Sequence, residues 1–240
     1  MGIKNLKASF LIVNYKQTKE IFRLINLIEE QFNYDFEILV FNNSNNKIKT
    51  NSVNVFQYSV GKNIGYGKAI NYLSIKARYD YLFILNPDIA IVGDLNESLR
   101  IFVNKHLKWA VLSLCAAEKL YTHPFFGKLL RSEKRFNGSA FIVYKEYFKI
   151  LGGFDPNFFL YFEDCDFALK LKKFGLKTYF PKIEYVKHLK IYKNVTFTTR
   201  KIYYYESLLH YLKKNFKHYF YIYYFPINFV LLFLRFLRKK

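Results

Sequence analysis

Cysteine is scarce in this sequence. Its 240 residues include two cysteines, Cys115 and Cys165, with no CxxC spacing and no histidines clustered around them. This excludes a disulfide scaffold and gives no support to a zinc knuckle. We expect no secretory signal, because the first apolar run, at 10–13, is too short for one and continues into polar residues. We therefore expect a cytoplasmic protein in a reducing compartment.

Two glycine-rich phosphate-binding signatures are absent as well. The sequence contains neither the GxGxxG of dinucleotide-binding folds nor the Gly-Lys-Ser/Thr of a P-loop. Gly65 and Gly67 do stand before a predicted helix, where backbone N–H groups can approach a phosphate, although such pairs are also common in turns. No Gly/Ser linker or internal repeat divides the chain, so its length predicts one domain, with at most an appendage.

Acidic residues are few relative to basic ones. The 38 Lys and Arg against 18 Asp and Glu give a net charge of +20, while a hydrophobic content of 52% excludes global disorder. The basic excess is concentrated near the C-terminus. From Lys187 to Lys240 there are 12 basic residues against one acid, Glu206, which gives +11.

This C-terminal segment also contains the longest apolar run. The run extends from Tyr219 to Leu234, is broken only by Pro226 and Asn228, and has cations on both sides. Its sixteen residues are fewer than the roughly 20 needed to span a bilayer, and proline disfavours a helix interior. We predict that it lies in the membrane interface, with its cations on anionic lipid. The alternative is a helix packed on the domain with a soluble basic end.

Apolar periodicity alternates between strand and helix along the rest of the chain. Strands are predicted at 8–13, 36–41, 53–58, 80–85, 109–115, 139–144 and 177–180, and helices at 18–31, about 63–78, 163–174 and 196–215. This alternation predicts an α/β fold with a parallel, doubly wound sheet. Such sheets bind ligands beyond the carboxyl ends of their strands.

Polar loops follow three of the predicted strands, at 42–44, 63–67 and 86–88. Asp88 stands at the mouth of a buried strand, where a carboxylate can hold a divalent cation that clamps a diphosphate. Asn-Pro-Asp is also good turn chemistry, and aspartate caps helices, so a plain turn is the alternative.

Three acids in four positions, Glu163, Asp164 and Asp166, follow an aromatic run at 158–162. Acids in the first turn of a helix ordinarily complement its dipole. Apolar surroundings, however, raise the pKa of a carboxyl group toward the range of a general base. His188 is a candidate metal ligand or phosphate contact, although a lone histidine is more often structural.

Together these segments resemble a family 2 glycosyltransferase of the rhamnosyltransferase-like branch, which has the GT-A fold. The resemblance covers roughly residues 8–190 in the family order. Its motifs are Ile12-Val13-Asn14-Tyr15, Asn63-x-Gly65-Tyr66-Gly67-x-x-x-Asn71, Leu85-Asn86-Pro87-Asp88, Phe136-Asn137-Gly138-Ser139, Gly152-Gly153-Phe154-Asp155 and Phe158-Phe159-x-Tyr161-x-Glu163-Asp164-x-Asp166. It implies a glycosyltransferase domain at 1–190 with a mostly parallel sheet flanked by helices, followed by a basic, aromatic, helical tail at 191–240.

The resemblance also implies residue roles in a metal-dependent inverting reaction. Asp164 is the implied catalytic base, with Glu163 and Asp166 positioning the acceptor and the base. Asp88 and His188 are the implied ligands of Mg²⁺ or Mn²⁺. The implied contacts of a dTDP- or UDP-sugar donor are Asn14, Asn42, Asn63, Gly65, Gly67, Asn71, Asn86 and Lys170.

Three of these residues replace those usual in the family. Asn86 stands in place of the first acid of the metal-binding motif, a substitution common in this branch. Asn42 stands where the family has an aspartate that contacts the nucleotide, and it has no charge. Lys170 stands for an arginine, which keeps the charge but loses bidentate phosphate geometry. None of these changes removes a catalytic group.

The leading hypothesis is a hexosyltransferase on the inner face of the cell membrane, adding a rhamnose-like or similar sugar to a glycan or lipid-linked acceptor in bacterial surface polysaccharide synthesis. A basic, aromatic nucleic-acid binder is an alternative, but no such motif is present and the charge lies beside an apolar run, so we expect no nucleic-acid partner. A nucleotidyltransferase would typically carry a basic glycine-rich loop after the first strand. Retained Asp88 and Asp164 argue against an inactive assembly subunit.

Overall fold

The computed structural model describes residues 6–44, 47–105, 109–115, 138–189 and 195–239. Its strands are β1 (Lys7–Asn14), β2 (Asp35–Asn42), β3 (Val55–Tyr58), β4 (Tyr81–Leu85), β5 (Ile89–Ile91), β6 (Val111–Ser113), β7 (Ala140–Tyr144), β8 (Thr178–Tyr179) and β9 (Val186–His188). Its helices are α1 (Thr18–Gln31), α2 (Tyr66–Lys76), α3 (Leu95–Lys105), α4 (Lys145–Ile150), α5 (Glu163–Lys173), α6 (Phe197–Asn215) and α7 (Lys217–Lys239).

Seven strands form the central sheet, in the order β3-β2-β1-β4-β7-β6-β8. The four strands β3, β2, β1 and β4 are parallel, and β7 runs antiparallel between β4 and β6. The predicted mostly parallel sheet is therefore confirmed. Because β7 is antiparallel, Ala140 at its start pairs with Leu85 at the end of β4. The residues just before β7 thus lie at the sheet edge where β1 to β4 end.

Helices cover both faces of this sheet. On one face Phe10 of β1 packs in a core cluster with Leu24 of α1 and Phe102 of α3. On the other, Leu11 packs in a cluster with Ile70 of α2 and Phe167 of α5. Burial on both faces explains why the central strands are continuous apolar runs in the sequence.

A small second sheet pairs β5 with β9. The pairing is antiparallel and sets Ile89 opposite His188. The backbone N–H of Leu189 also donates to the carbonyl of Asp88, at 2.8 Å. This pairing brings His188 beside Asp88, although one hundred positions separate them in the sequence.

The C-terminal residues form two helices, α6 and α7, that pack against each other. Ile227 and Leu231 of α7 are buried in a cluster with Phe158 and residues of α6. The prediction of a C-terminal apolar helix is confirmed. The helix also continues through Pro226, which the sequence analysis treats as unfavourable within a helix. Packing of one face of α7 on α6 compensates for the backbone hydrogen bond that proline cannot make.

Ion pairs between a lysine and two buried carboxylates attach α6 to the rest of the protein. Nζ of Lys214 lies 2.6 Å from Oδ2 of Asp155 and 2.9 Å from Oδ2 of Asp166, and Asn215 donates to the other oxygen of Asp166. Ser207 donates to the carbonyl of Leu160, at 2.7 Å. The predicted boundary between a domain at 1–190 and a tail at 191–240 stays a prediction. Within the described residues, polar contacts join α6 of this tail to α5 of the domain.

Candidate active site

A cleft of about 310 Å³ opens at the carboxyl edge of the central sheet. It includes residues of β1 and β9, of the loops that follow β1, β2, β3 and β4, and of helices α2 and α6. Its lining residues are Val13, Tyr15, Gln17, Asn43, Asn63, Gly65, Tyr66, Asn86, Pro87, Asp88, Phe159, Leu160, Tyr161, His188, Val195, Thr199, Arg200 and Tyr203. The cleft lies where a parallel sheet is expected to bind its ligand.

Asparagine side chains shape the loop before α2, which forms one wall of the cleft. Asn43 accepts from the N–H of Ile64 and donates to the carbonyl of Gly65, both at 3.0 Å. Asn63 accepts from the N–H of Gly65 at 2.9 Å. Gly65 has a φ of +86°, and a Cβ there would lie 2.5 Å from the carbonyl oxygen of Phe159. Only glycine fits this position, because both the backbone angle and the space exclude a side chain.

Asp88 and His188 face each other in the cleft wall, with Oδ2 and Nε2 at 3.3 Å. Asn86 lies beside them, and its buried Oδ1 makes no hydrogen bond with the described residues. The Asp88 carboxylate and the Asn86 amide are hard oxygen donors of the kind that Mg²⁺ and Mn²⁺ accept beside phosphate and water, and the His188 imidazole adds a nitrogen donor. Within the described ranges, no group of three or more His, Cys, Asp or Glu side chains forms a fuller metal site.

The acidic cluster stands at the start of α5, after an unusual turn. Tyr161 and Phe162 have φ angles of +72° and +68°. Bulky residues rarely adopt this left-handed region, which costs about 1–3 kcal/mol for each residue. The turn sets the direction of Asp164, whose Oδ2 accepts from the N–H of Gly138 at 3.3 Å. Its Oδ1 accepts from the N–H of Cys165 at 2.8 Å.

Glu163 lies next to this carboxylate and is buried. Its Oε2 makes no hydrogen bond with the described residues. Burial, together with the charge of Asp164, raises the pKa of Glu163 to about 8. Burial and a neighbouring carboxylate both disfavour the charged form, so the protonated form of Glu163 is favoured over a wider pH range than for a free glutamate.

The Tyr66 hydroxyl connects the two acidic regions. It donates to the carbonyl of Gly138, at 3.3 Å. Burial raises the pKa of Tyr66 well above its ordinary value, and the charges of Glu163, Asp164 and Asp88 raise it further. The Asn86 N–H donates to the carbonyl of Ser139 at 2.7 Å, which ties the loop after β4 to the start of β7. Asp88 lines the cleft together with Tyr66, whereas Glu163 and Asp164 are not among its lining residues; Asp164 is joined to Tyr66 through Gly138.

Several predicted donor contacts lie outside the cleft lining and support it instead. Asn14 donates to Asn42 at 2.8 Å, and Asn42 donates to Gln57 at 3.1 Å. Asn71 binds both the N–H and the carbonyl of Phe154, at 2.9 and 2.7 Å. Gly67 packs so closely that a Cβ there would lie 3.1 Å from the Cβ of Phe154. Their predicted donor contacts stay predictions.

Asp166 and Lys170 point toward a different part of the molecule. Asp166 is 1% exposed and receives Lys214 and Asn215 from α6. Lys170 donates to the carbonyl of Gly153 at 2.7 Å, and its Nζ lies 3.8 Å from Asp166. Neither side chain lines the cleft. Residues Phe136 and Asn137 of the quoted motif lie outside the described residues.

The cleft also contains residues to which the sequence analysis assigned no role, although Tyr15 stands in a quoted motif and Asn43 in the polar loop at 42–44. Tyr15, Gln17 and Asn43 follow strands β1 and β2, and Thr199, Arg200 and Tyr203 come from α6. The first three follow the rule that ligands bind beyond strand ends, so position could have identified them. The α6 residues carry no such signal, because they belong to a tyrosine-rich helix distant in sequence from every strand.

Comparison with known proteins gives matches in structure only. No family model matches the chain, and a search of curated proteins finds no sequence match. Among solved structures, a mannosyltransferase of Pyrobaculum calidifontis, PcManGT, in complex with GDP-Man and Mn²⁺, is similar with a TM-score of 0.61 at 15% identity. The match covers 88% of this chain and 64% of that one, so the chain spans slightly less than two thirds of the mannosyltransferase.

Staphylococcus aureus TarS, residues 1–349, is also similar. The TM-score is 0.56 at 13% identity, over 88% of this chain and 73% of the other. The same protein in complex with UDP gives 0.55 at 16% identity, over 86% and 66%. These similarities show that the chain has a GT-A-like fold.

Proposed function

We propose that this protein is an inverting, metal-dependent glycosyltransferase that uses a nucleotide-sugar donor. The observation that carries the proposal is the link between Asp164 and the cleft. Tyr66 and Asp88 line the cleft, and the Tyr66 hydroxyl donates to the carbonyl of Gly138, whose own N–H donates to Asp164. Two structural neighbours add support, because one is described with GDP-Man and Mn²⁺ and the other with UDP.

The cleft offers suitable contacts for a nucleoside diphosphate. Its volume of about 310 Å³ falls in the range of small-ligand sites. Tyr15 supplies an aromatic surface on which a base can stack, and Asn43 and Asn63 order the loop whose backbone faces the ligand. A uracil or thymine base, as in a UDP- or dTDP-sugar, is our specific expectation.

Asp88 and His188 would hold the metal, with the buried Oδ1 of Asn86 beside them. When bound, Mg²⁺ or Mn²⁺ neutralises charge on the diphosphate. The two protein ligands leave room for phosphate oxygens, which is the usual arrangement for cations bound together with phosphorylated substrates.

Asp164 would act as the general base. The N–H groups of Gly138 and Cys165 fix its carboxylate, and the raised pKa of Glu163 favours the neutral form of that neighbour. Asp164 takes the proton of an acceptor hydroxyl while that oxygen forms a bond to the anomeric carbon. The bond from this carbon to the nucleoside diphosphate breaks on the opposite face, so the configuration inverts.

The acceptor we propose is a glycan or lipid-linked saccharide of bacterial surface polysaccharide synthesis, with a rhamnose-like sugar transferred as in the rhamnosyltransferase-like branch. Support comes from α7, which is long and apolar enough to cross a membrane and is mostly exposed. With one face on α6, it suits peripheral attachment to an anionic inner membrane surface.

A donor screen tests the proposal. Purified protein is incubated with UDP-, dTDP- and GDP-sugars and Mn²⁺ or Mg²⁺, and the release of free nucleoside diphosphate is measured. We expect release from at least one donor and its loss in Asp164→Asn, with Asp35→Asn as an exposed control. Undiminished turnover by Asp164→Asn would refute the base assignment, and no release or binding of any donor would refute the proposed function.

A further inference from the structure

The cleft contains very little positive charge, although the protein carries +20. Among the described residues that line it, Arg200 is the one with a permanent positive charge, and Asp88 is the one acid. A nucleoside diphosphate is strongly anionic, and it is bound best where fixed cations or backbone N–H groups face it. The position of Arg200 therefore bears directly on how an anionic ligand is held.

The basic residue that the family resemblance assigned to the donor lies elsewhere. Nζ of Lys170 donates to the carbonyl of Gly153 and lies 3.8 Å from Asp166. Burial lowers the pKa of Lys170, although the charge of Asp166 opposes this effect. Lys170 thus has neighbours away from the cleft, which leaves the diphosphate without its expected basic contact.

Helix α6 holds Arg200 at the cleft through fixed contacts along its length. Its first turn is capped by Thr196, which accepts from the N–H of Thr199 at 3.2 Å. About two turns after the cap, the ring of Tyr203 packs on that of Phe159, with centroids 4.7 Å apart. Farther along, Lys214 is paired with two buried acids. A helix fixed at three points presents Arg200 in a preorganised position.

We infer that Arg200 of α6 binds the diphosphate of the donor. The inference rests on the proposed function and adds a binding residue to it. A guanidinium group donates two parallel hydrogen bonds to phosphate oxygens, a geometry that a lysine ammonium lacks. The negative charge of the leaving group increases as its bond to the sugar breaks, so Arg200 also stabilises that charge.

Binding measurements on the full chain test this assignment. UDP, dTDP and GDP are titrated calorimetrically into the wild type, Arg200→Gln, Arg200→Lys and Lys201→Gln, and the corresponding nucleosides are titrated in parallel. Lys201 is the matched control, because it is the next residue of α6 and contacts the rings of Phe197 and Tyr204 instead of lining the cleft. Thermal unfolding of each variant checks that it is folded.

We expect Arg200→Gln to weaken diphosphate binding about 10-fold or more, because a hydrogen bond to a charged group is lost. Arg200→Lys should show a smaller loss, Lys201→Gln should bind as the wild type does, and nucleoside affinity should change in none of them. Equal losses in Arg200→Gln and Lys201→Gln, or an unchanged affinity in Arg200→Gln, would overturn the inference and leave the proposed function intact. Failure of the wild type to bind any nucleoside diphosphate would overturn both.

Discussion

The backbone N–H of Gly138 donates to Oδ2 of Asp164 at 3.3 Å, and no other residue type fits at position 138. A Cβ there would lie 2.8 Å from the Cβ of Asp164 and 2.9 Å from its Oδ2. The start of β7 therefore fixes the proposed base by a hydrogen bond and by close packing. Since β7 is antiparallel, its first residues reach the same sheet edge as the end of β4.

Gly138→Ala should lower sugar transfer about 10- to 100-fold, because the new methyl group displaces the Asp164 carboxylate. Affinity for the nucleoside diphosphate should change little, since Gly138 is not a lining residue of the cleft. Steady-state kinetics and calorimetry measure the two effects separately.

A double-mutant cycle with Asp164→Ala gives the control for Gly138→Ala. Because Asp164→Ala is itself expected to abolish transfer, the cycle is measured on the free energy of unfolding. If position 138 acts through Asp164, Gly138→Ala should cost less stability in the Asp164→Ala background than in the wild type. Additive losses in the double variant would contradict this account.

Glu163→Gln should make the stability of the protein less dependent on pH. In the unfolded chain Glu163 ionises near its ordinary pKa of 4.5, whereas folding raises the pKa to about 8. Between those two pH values the folded protein therefore keeps a proton that the unfolded chain has lost. The free energy of unfolding therefore decreases as pH rises through this interval. Thermal unfolding at pH 5.5 and 8.5 should show a smaller decrease in Tm for Glu163→Gln than for the wild type. An equal decrease in both proteins would rule out Glu163 as its source.

Removal of divalent cations should abolish transfer, and Mn²⁺ or Mg²⁺ should restore it. Asp88→Asn should raise the metal concentration needed for half-maximal activity more than about tenfold, since even outer contacts of metal sites have effects of that size. Asp94→Asn is the matched control, because Asp94 is half exposed and lies outside the cleft. Full activity in the presence of chelator would contradict the metal assignment.

The residues near strand ends could be predicted because local sequence and sheet topology agree there. Continuous apolar runs predict buried parallel strands, and the loops after them form the cleft edge. Asn63, Gly65, Asn86 and Asp88 were identified in this way, and all four line the cleft. His188 is also there, although only the pairing of β5 with β9 brings it to Asp88.

The direction of a side chain could not be predicted from its position in a motif. Asp166 and Asp164 are two residues apart on one helix, so they point to different sides of it. Asp164 faces Gly138, whereas Asp166 faces Lys214 of α6. The contribution of α6 to the cleft was not predictable either, because it depends on long-range contacts such as the pairing of Lys214 with Asp155.

Lys214→Met should destabilise the protein by about 3 kcal/mol. This is the low end of the range for removing one partner of a buried ion pair, because the lysine side chain is 33% exposed. The loss leaves Asp155 and Asp166, whose side chains are 9% and 1% exposed, without this cation. Chemical denaturation measures the change, and Lys213→Met on the exposed side of α6 should leave stability nearly unaltered. Equal effects in the two variants would show that the buried pairs contribute nothing specific.

Binding to anionic vesicles should depend on the exposed face of α7. Large apolar side chains recur every three or four residues on this face, at Tyr221, Phe225, Phe229, Leu232 and Phe236. The opposite face packs on α6, so the exposed stripe can enter the headgroup region while the helix stays attached to the protein.

Phe225→Ser with Phe229→Ser should therefore weaken sedimentation with phosphatidylglycerol vesicles about tenfold or more, since each phenylalanine buries a large apolar area. Ile150→Ser with Phe174→Ser removes apolar residues that are 55% and 61% exposed elsewhere on the protein, and this control should bind as the wild type does. Salt should weaken binding of the wild type, because its basic residues pair with anionic lipid. An interfacial helix depends both on its apolar stripe and on the cations beside it. Attachment through this face would therefore be excluded if the two double variants bound equally, or if salt did not alter binding.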